Sequence, residues 1–65
     1  MTDRRIDAVR KEFSMLTALI EDAAVIASVG QGIDSVEDGR RQHDRLSKAL
    51  DRIGRRLRTL EKHLR

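Results

Sequence analysis

Apolar residues recur at steps of three and four along almost the whole chain, and the pattern is interrupted once. In the N-terminal half, Ile6, Val9, Phe13, Leu16, Ile20, Ala23 and Ala27 follow this spacing; in the C-terminal half, Val36, Gly39, His43, Leu46, Leu50, Ile53, Leu57, Leu60 and Leu64 continue it. Such a repeat fills the a and d positions of successive heptads, the seam of a coiled coil or helical bundle. Strand-like alternation is absent, and no proline occurs to forbid helix anywhere.

The interruption is Gly30-Gln31-Gly32. Glycine readily takes the left-handed conformation that ends helices, so two of them within three residues predict a stop. Asp34 and Ser35 follow as candidate N-caps, with Glu37 and Asp38 each three residues later, a double capping-box pattern that restarts the helix. Thr2 or Asp3 can cap the first helix. The expected fold is all-α: one domain over 1–65, with helix 1 at about 3–29, a turn at 30–34 and helix 2 at about 35–64. A short turn makes the pair an antiparallel hairpin, each helix about 40 Å long at 1.5 Å per residue.

The heptads also predict a register. Ile6 pairs with Leu57, Phe13 with Leu50, Ile20 with His43 and Ala27 with Val36 at the a positions. Val9 pairs with Ile53, Leu16 with Leu46 and Ala23 with Gly39 at the d positions. Large meets large at the open end and small meets small at the turn. The expected hairpin core is therefore Ile6, Val9, Phe13, Leu16, Ile20, His43, Leu46, Leu50, Ile53 and Leu57, with Leu64 running past the reach of helix 1.

Size then argues for association. A chain of 65 residues buries only about 60% of the surface its unfolded form exposes. Disulfides and thiolate metal sites are excluded because there is no cysteine. Helix 1 also carries a second apolar row, Ala8, Met15, Leu19, Ile26 and Val29, broken by Glu12 and Asp22. Each large side chain left in water forgoes roughly 1.5–3 kcal/mol. The row Met15, Leu19, Asp22, Ile26 and Val29 is the expected partner-facing surface. It would close over a second copy in a dimeric four-helix bundle, or over another protein's amphipathic helix. If buried, Asp22 calls for a Lys or Arg from the neighbour; the plainer reading leaves it wet at the interface edge.

Charge is unevenly shared. Residues 33–65 hold ten basic and six acidic side chains, against four and five in residues 1–32. Arg45, Arg52, Arg55, Arg56 and Lys62 form a basic face that can follow a phosphate backbone. Against that, Glu37–Arg41, Asp44–Lys48, Asp51–Arg55 and Glu61–Arg65 are spaced to pair along the helix and neutralise it locally. With no Tyr or Trp and with Phe13 assigned to the core, nucleic acid could be read only by shape and charge. In layout, such a hairpin dimer resembles the Rop type of RNA-binding four-helix bundle. Its length and form also resemble the small helical-hairpin co-chaperones of type III secretion. Both likenesses are of architecture alone and carry over no residues.

No catalytic arrangement emerges. His43 at an a position reads either as a pH-responsive imidazole or as a polar residue that fixes register. His63 reads as surface. Asp34, Glu37 and Asp38 lack calcium-loop spacing, and Gly30-Gln31-Gly32 follows no strand and is no dinucleotide fingerprint. The expectation is a non-enzymatic protein-interaction module acting as adaptor, chaperone or regulator. Its partners would be itself, most simply as a homodimer, and another protein. No cofactor, metal or small-molecule substrate is expected, and shape-reading RNA or DNA binding is the alternative. The first residues show no apolar run behind their charges. Met15 to Val29 is too short to span a bilayer and contains Glu21 and Asp22. A cytoplasmic protein without membrane contact is expected.

Overall fold

The computed structural model describes residues 3–65; Thr2, one of the two expected caps, lies outside them. α1 spans Arg4–Gly30 and α2 spans Val36–Leu64, and the two pack side by side as an antiparallel hairpin. Asp3 caps α1, its Oδ1 accepting from the Arg5 amide at 2.9 Å. Ser35 caps α2, its Oγ accepting from the Asp38 amide at 3.1 Å. Each cap satisfies one of the amides that a helix start leaves without a partner.

The turn forms by a different device from the one the glycines suggested. No glycine among the described residues has a positive φ. The α-helical pattern of α1 instead tightens into i→i+3 bonds, Gln31 N–H to Ser28 O, Gly32 N–H to Val29 O and Ile33 N–H to Gly30 O, at 3.1, 3.1 and 3.4 Å. This is the narrow coil in which many helices end. Absent side chains matter here for close approach. A Cβ on Gly39 would stand 2.9 Å from Ile33 Cδ1, so the glycine makes room for the turn to fold over the start of α2.

The register lies about one heptad from the expected one. Arg56 contacts Glu12, Gln42 stands beside Gly30, and the Arg5 side chain donates to the Arg65 carbonyl at 3.0 Å. Val9 then lies level with Leu60, Leu16 with Ile53 and Ala23 with Leu46. Leu64 is level with Ile6 instead of overhanging it. Heptad matching alone does not separate the two registers, because a shift of seven returns d to d. Charge separates them. The expected register would set Glu12 against Ala49 and bring Arg5 to Arg56; the observed one joins Glu12 to Arg56.

The seam also uses a different pair of rows. Its buried apolar residues among those described are Leu16, Ala23, Ala49 and Leu60, together with the carboxylate of Glu12. Val9, Leu19, Ile26, Leu46 and Ile53 are half-buried beside them. These are the d positions and the g positions that precede each a by one residue. Val9, Leu16, Leu46 and Ile53 of the expected core therefore lie in the seam. Ile6, Phe13, Ile20, His43, Leu50 and Leu57 do not: each is exposed. Two helices share one seam, which d and g fill, so the a row is turned aside.

Candidate interaction surfaces

The a rows of both helices lie on one side of the hairpin. Near the turn, Ala27 and His43 line the same trough, and Ile6, Phe13, Ile20, Leu50, Leu57 and Leu64 remain 47–59% exposed. The uncovered apolar surface is thus contributed by both helices, not by helix 1 alone. Between the a residues stand small or short side chains, Thr17, Ala24, Ser47 and Gly54, at the e positions. A Cβ on Gly54 would meet nothing within 4 Å. The face is apolar, nearly flat and free of projecting charge at its centre.

Shape reinforces this picture. The hairpin measures 55 × 16 × 9 Å with a Cα radius of gyration of 15.5 Å, against about 11 Å for a compact chain of this length. It exposes 5469 Å², roughly 1,200 Å² more than a compact monomer of 7.4 kDa by surface scaling. A face of 55 by 16 Å is of the size, about 800 Å², that each partner gives to a stable interface.

The row expected to face a partner is located differently. Met15, Leu19 and Ile26 are half-buried where α1 meets α2. Asp22 and Val29 are exposed, and Asp22 shares a shallow trough with Arg45, Lys48 and Arg52 of α2. That trough is on the opposite side from the a rows. A neighbouring groove of about 540 Å³ is lined by Met15, Ala18 and Leu19 on one wall and by Arg52, Arg55, Arg56 and Thr59 on the other.

Charge on this second side is freer than the spacing suggested. Of the four expected i,i+4 pairs only Glu61–Arg65 forms, at 3.3 Å; Arg41 turns instead to Asp38 at 2.7 Å. Among the described residues, Arg45, Lys48, Arg52, Arg55 and Lys62 have no carboxylate at ion-pair distance. Arg56 is the exception within the basic set, because its guanidinium is held by Glu12.

His43 is exposed, with Nδ1 3.3 Å from Asp44 Oδ1. It lies on the open face and takes no part in the seam. Sequence reasoning passed over Glu12, which looked like a gap in an apolar row. Its position seven residues before Leu19, with Arg56 a heptad after Ala49, was the signal for a polar layer. Among the described residues no three His, Cys, Asp or Glu side chains gather into a metal-binding group.

α1 includes an 18-residue window of mean hydropathy 1.5 with at most two charged residues, and so is long and apolar enough to cross a membrane. That stretch exceeds the Met15–Val29 segment judged too short. Glu21 and Asp22 both fall within its apolar half. No protein-family model, curated protein or solved structure matches the chain.

Proposed function

We propose that the protein is a non-catalytic interaction module whose a-row face closes over a second copy, giving a homodimeric four-helix bundle that serves as a small adaptor, chaperone or regulator. The observation that carries this reading is the uncovered face itself. Six large side chains, Ile6, Phe13, Ile20, Leu50, Leu57 and Leu64, stand about half in water along one side of the hairpin. Half-burial forgoes about 1 kcal/mol for each of them. Few apolar residues are buried inside the single hairpin, and a chain of this size has little stability to spare. A second copy supplies a face of equal length and like chemistry.

Sedimentation tests the reading directly. The wild-type chain should run at twice its mass of 7.4 kDa. Phe13→Lys and Leu57→Lys, which place charge on the face without touching the seam, should return it to monomer. A wild-type chain that stays folded and monomeric at hundreds of micromolar would sink the proposal.

One observation favours a second reading, a shape-reading nucleic-acid binder. The cations Arg45, Arg52, Arg55 and Lys62 are exposed and unneutralised among the described residues, on the side that a dimer would leave free. Binding of this kind weakens steeply with added salt. A low-salt mobility shift on duplex DNA and structured RNA, abolished when these four become Gln, would support it. No shift would remove it.

A further inference from the structure

We infer that the two hairpins meet end for end, with their turns at opposite ends of the bundle and the two-fold axis passing beside Thr17 and Gly54. This rests on the reading above, that the occupant of the open face is a second copy.

Two arrangements let one flat face cover its twin. Either the turns lie at the same end and α1 covers the partner's α2, or the turns lie at opposite ends and each helix covers its own counterpart. The observed register divides the face into four levels: Ile6 with Leu64, Phe13 with Leu57, Ile20 with Leu50, and Ala27 with His43. Bulk is greatest at Phe13 with Leu57 and least at Ala27 with His43, beside the turn.

Same-end stacking sets each level on itself. Phe13 then crowds against Leu57 of the second copy in the bulkiest layer, while Ala27 meets His43 of the second copy across a thin one. A gap at one end and excess bulk near the other both destabilise a core packed at interior density. End-for-end stacking evens the levels. Ile6 and Leu64 of one copy cover Ala27 and His43 of the other, and Phe13 and Leu57 meet Ile20 and Leu50.

The flanking charges do not choose between the two stackings. Same-end stacking brings Arg10 to Glu61 of the second copy, which is favourable, but sets Glu21 level with Asp51, a like-charge contact made twice. End-for-end stacking brings Arg10 near Glu21 and Asp51 near Arg58, but by the same spacing it also brings Asp44 near Glu61 and Arg40 near Arg65, each made twice.

The small residues complete the argument. About the end-for-end axis, Thr17 lies against Thr17 and Gly54 against Gly54. The open space around the Gly54 Cα admits the partner's α2 where the helices cross. In same-end stacking Thr17 would meet Gly54 instead.

The chain has no cysteine, so the two stackings can be separated by cross-linking. Thr17→Cys and Gly54→Cys are prepared singly, with Lys48→Cys as a control on the far side, and helicity is checked by circular dichroism. Under mild oxidation the first two should each pass from no covalent dimer to mostly covalent dimer, as sulfur atoms at an axis demand, while Lys48→Cys stays unlinked. If the chains sediment as dimers but link only when Thr17→Cys and Gly54→Cys are mixed, the turns share one end; this inference falls and the dimer stands. Folded, monomeric chains with no link in any variant would overturn both.

Discussion

One nitrogen of Arg56 lies 3.2 and 3.3 Å from the two carboxylate oxygens of Glu12, across the seam between the helices. Glu12 is the one buried charged residue among those described, at 6% exposure, while the Arg56 side chain keeps 37% of its surface in water. The carboxylate is the group at risk. Paired, it is compensated; unpaired in a seam of Val9, Leu16 and Leu60, it would bear the desolvation penalty alone.

Arg56→Ala should therefore cost more than an ordinary surface change. Full burial of both partners would put the loss near 3–5 kcal/mol. Because Arg56 is partly hydrated, we expect roughly 1–2 kcal/mol, read from urea unfolding. Glu12→Leu combined with Arg56→Leu should restore or exceed the original stability, yet admit the second register. Disorder of the turn-end contacts in the double variant, seen as doubled amide resonances near Gly39, is the expected sign. A double variant with a single sharp spectrum would show that the pair does not set the register.

Leu16 and Phe13 should respond differently although both belong to the heptad repeat. Leu16 is 5% exposed and Phe13 54%. Leu16→Ala opens the seam and should cost about 2–4 kcal/mol, lowering Tm at every protein concentration. Phe13→Ala should act mainly by weakening association, flattening the dependence of Tm on concentration that a dimer shows. Equal, concentration-independent losses for the two variants would contradict the assignment of their rows.

The comparison of these residues shows what the sequence made legible. Both helices, the single break and the Ser35 start follow from spacing and capping chemistry, which act over a few residues. The register did not, because apolar matching repeats every seven residues and is blind to a shift of one heptad. The observed register joins a charged pair, Glu12 and Arg56, at g positions outside the a and d rows. The division of rows was hidden for a related reason. An a/d pattern suits a packed pair of helices and a larger bundle alike, whereas in this hairpin the d and g rows fill the seam. Phe13, Ile20, Leu50 and Leu57 thus carry a core signature while standing in water.

Gly54 should separate helix propensity from interface geometry. A methyl group there meets nothing within 4 Å in the hairpin, so Gly54→Ala should strengthen α2 by about 0.5–1 kcal/mol. Gly54→Leu starts from the same open Cβ position but fills the space proposed for the partner helix. It should raise the dimer dissociation constant by tenfold or more, as measured by sedimentation equilibrium, without lowering helical content. Unchanged association in Gly54→Leu would place the crossing elsewhere.

Ser35 begins α2 with φ −147° and ψ 157°, outside the helical region, and accepts from Asp38. Ser35→Ala should cost about 1 kcal/mol, and Ser35→Asp should retain most of the stability. Because the cap stands at the turn, its loss should first expose amides of Val36 to Gly39 to hydrogen exchange. Protection unchanged in that segment would mean that the turn is held by Ile33 packing over Gly39 instead.

α1 has the length and hydropathy of a membrane span, and the fate of its apolar half divides the interaction reading from an anchoring one. Insertion would carry Glu21 and Asp22 toward the middle of the hydrocarbon, at about 2.5–3.5 kcal/mol for a central Asp on the insertion scale. It would also strip Leu16 and Ala23 from the seam and leave Arg56 without Glu12. Dimerisation covers the same helix at no such penalty. Neutral phosphatidylcholine vesicles floated through a density gradient should leave the chain at the bottom at concentrations where it is dimeric. Phe13→Lys, which frees the face but adds charge, should remain there too. Flotation of the wild-type chain, with helicity retained and the dimer lost, would show that lipid and not a second copy covers α1.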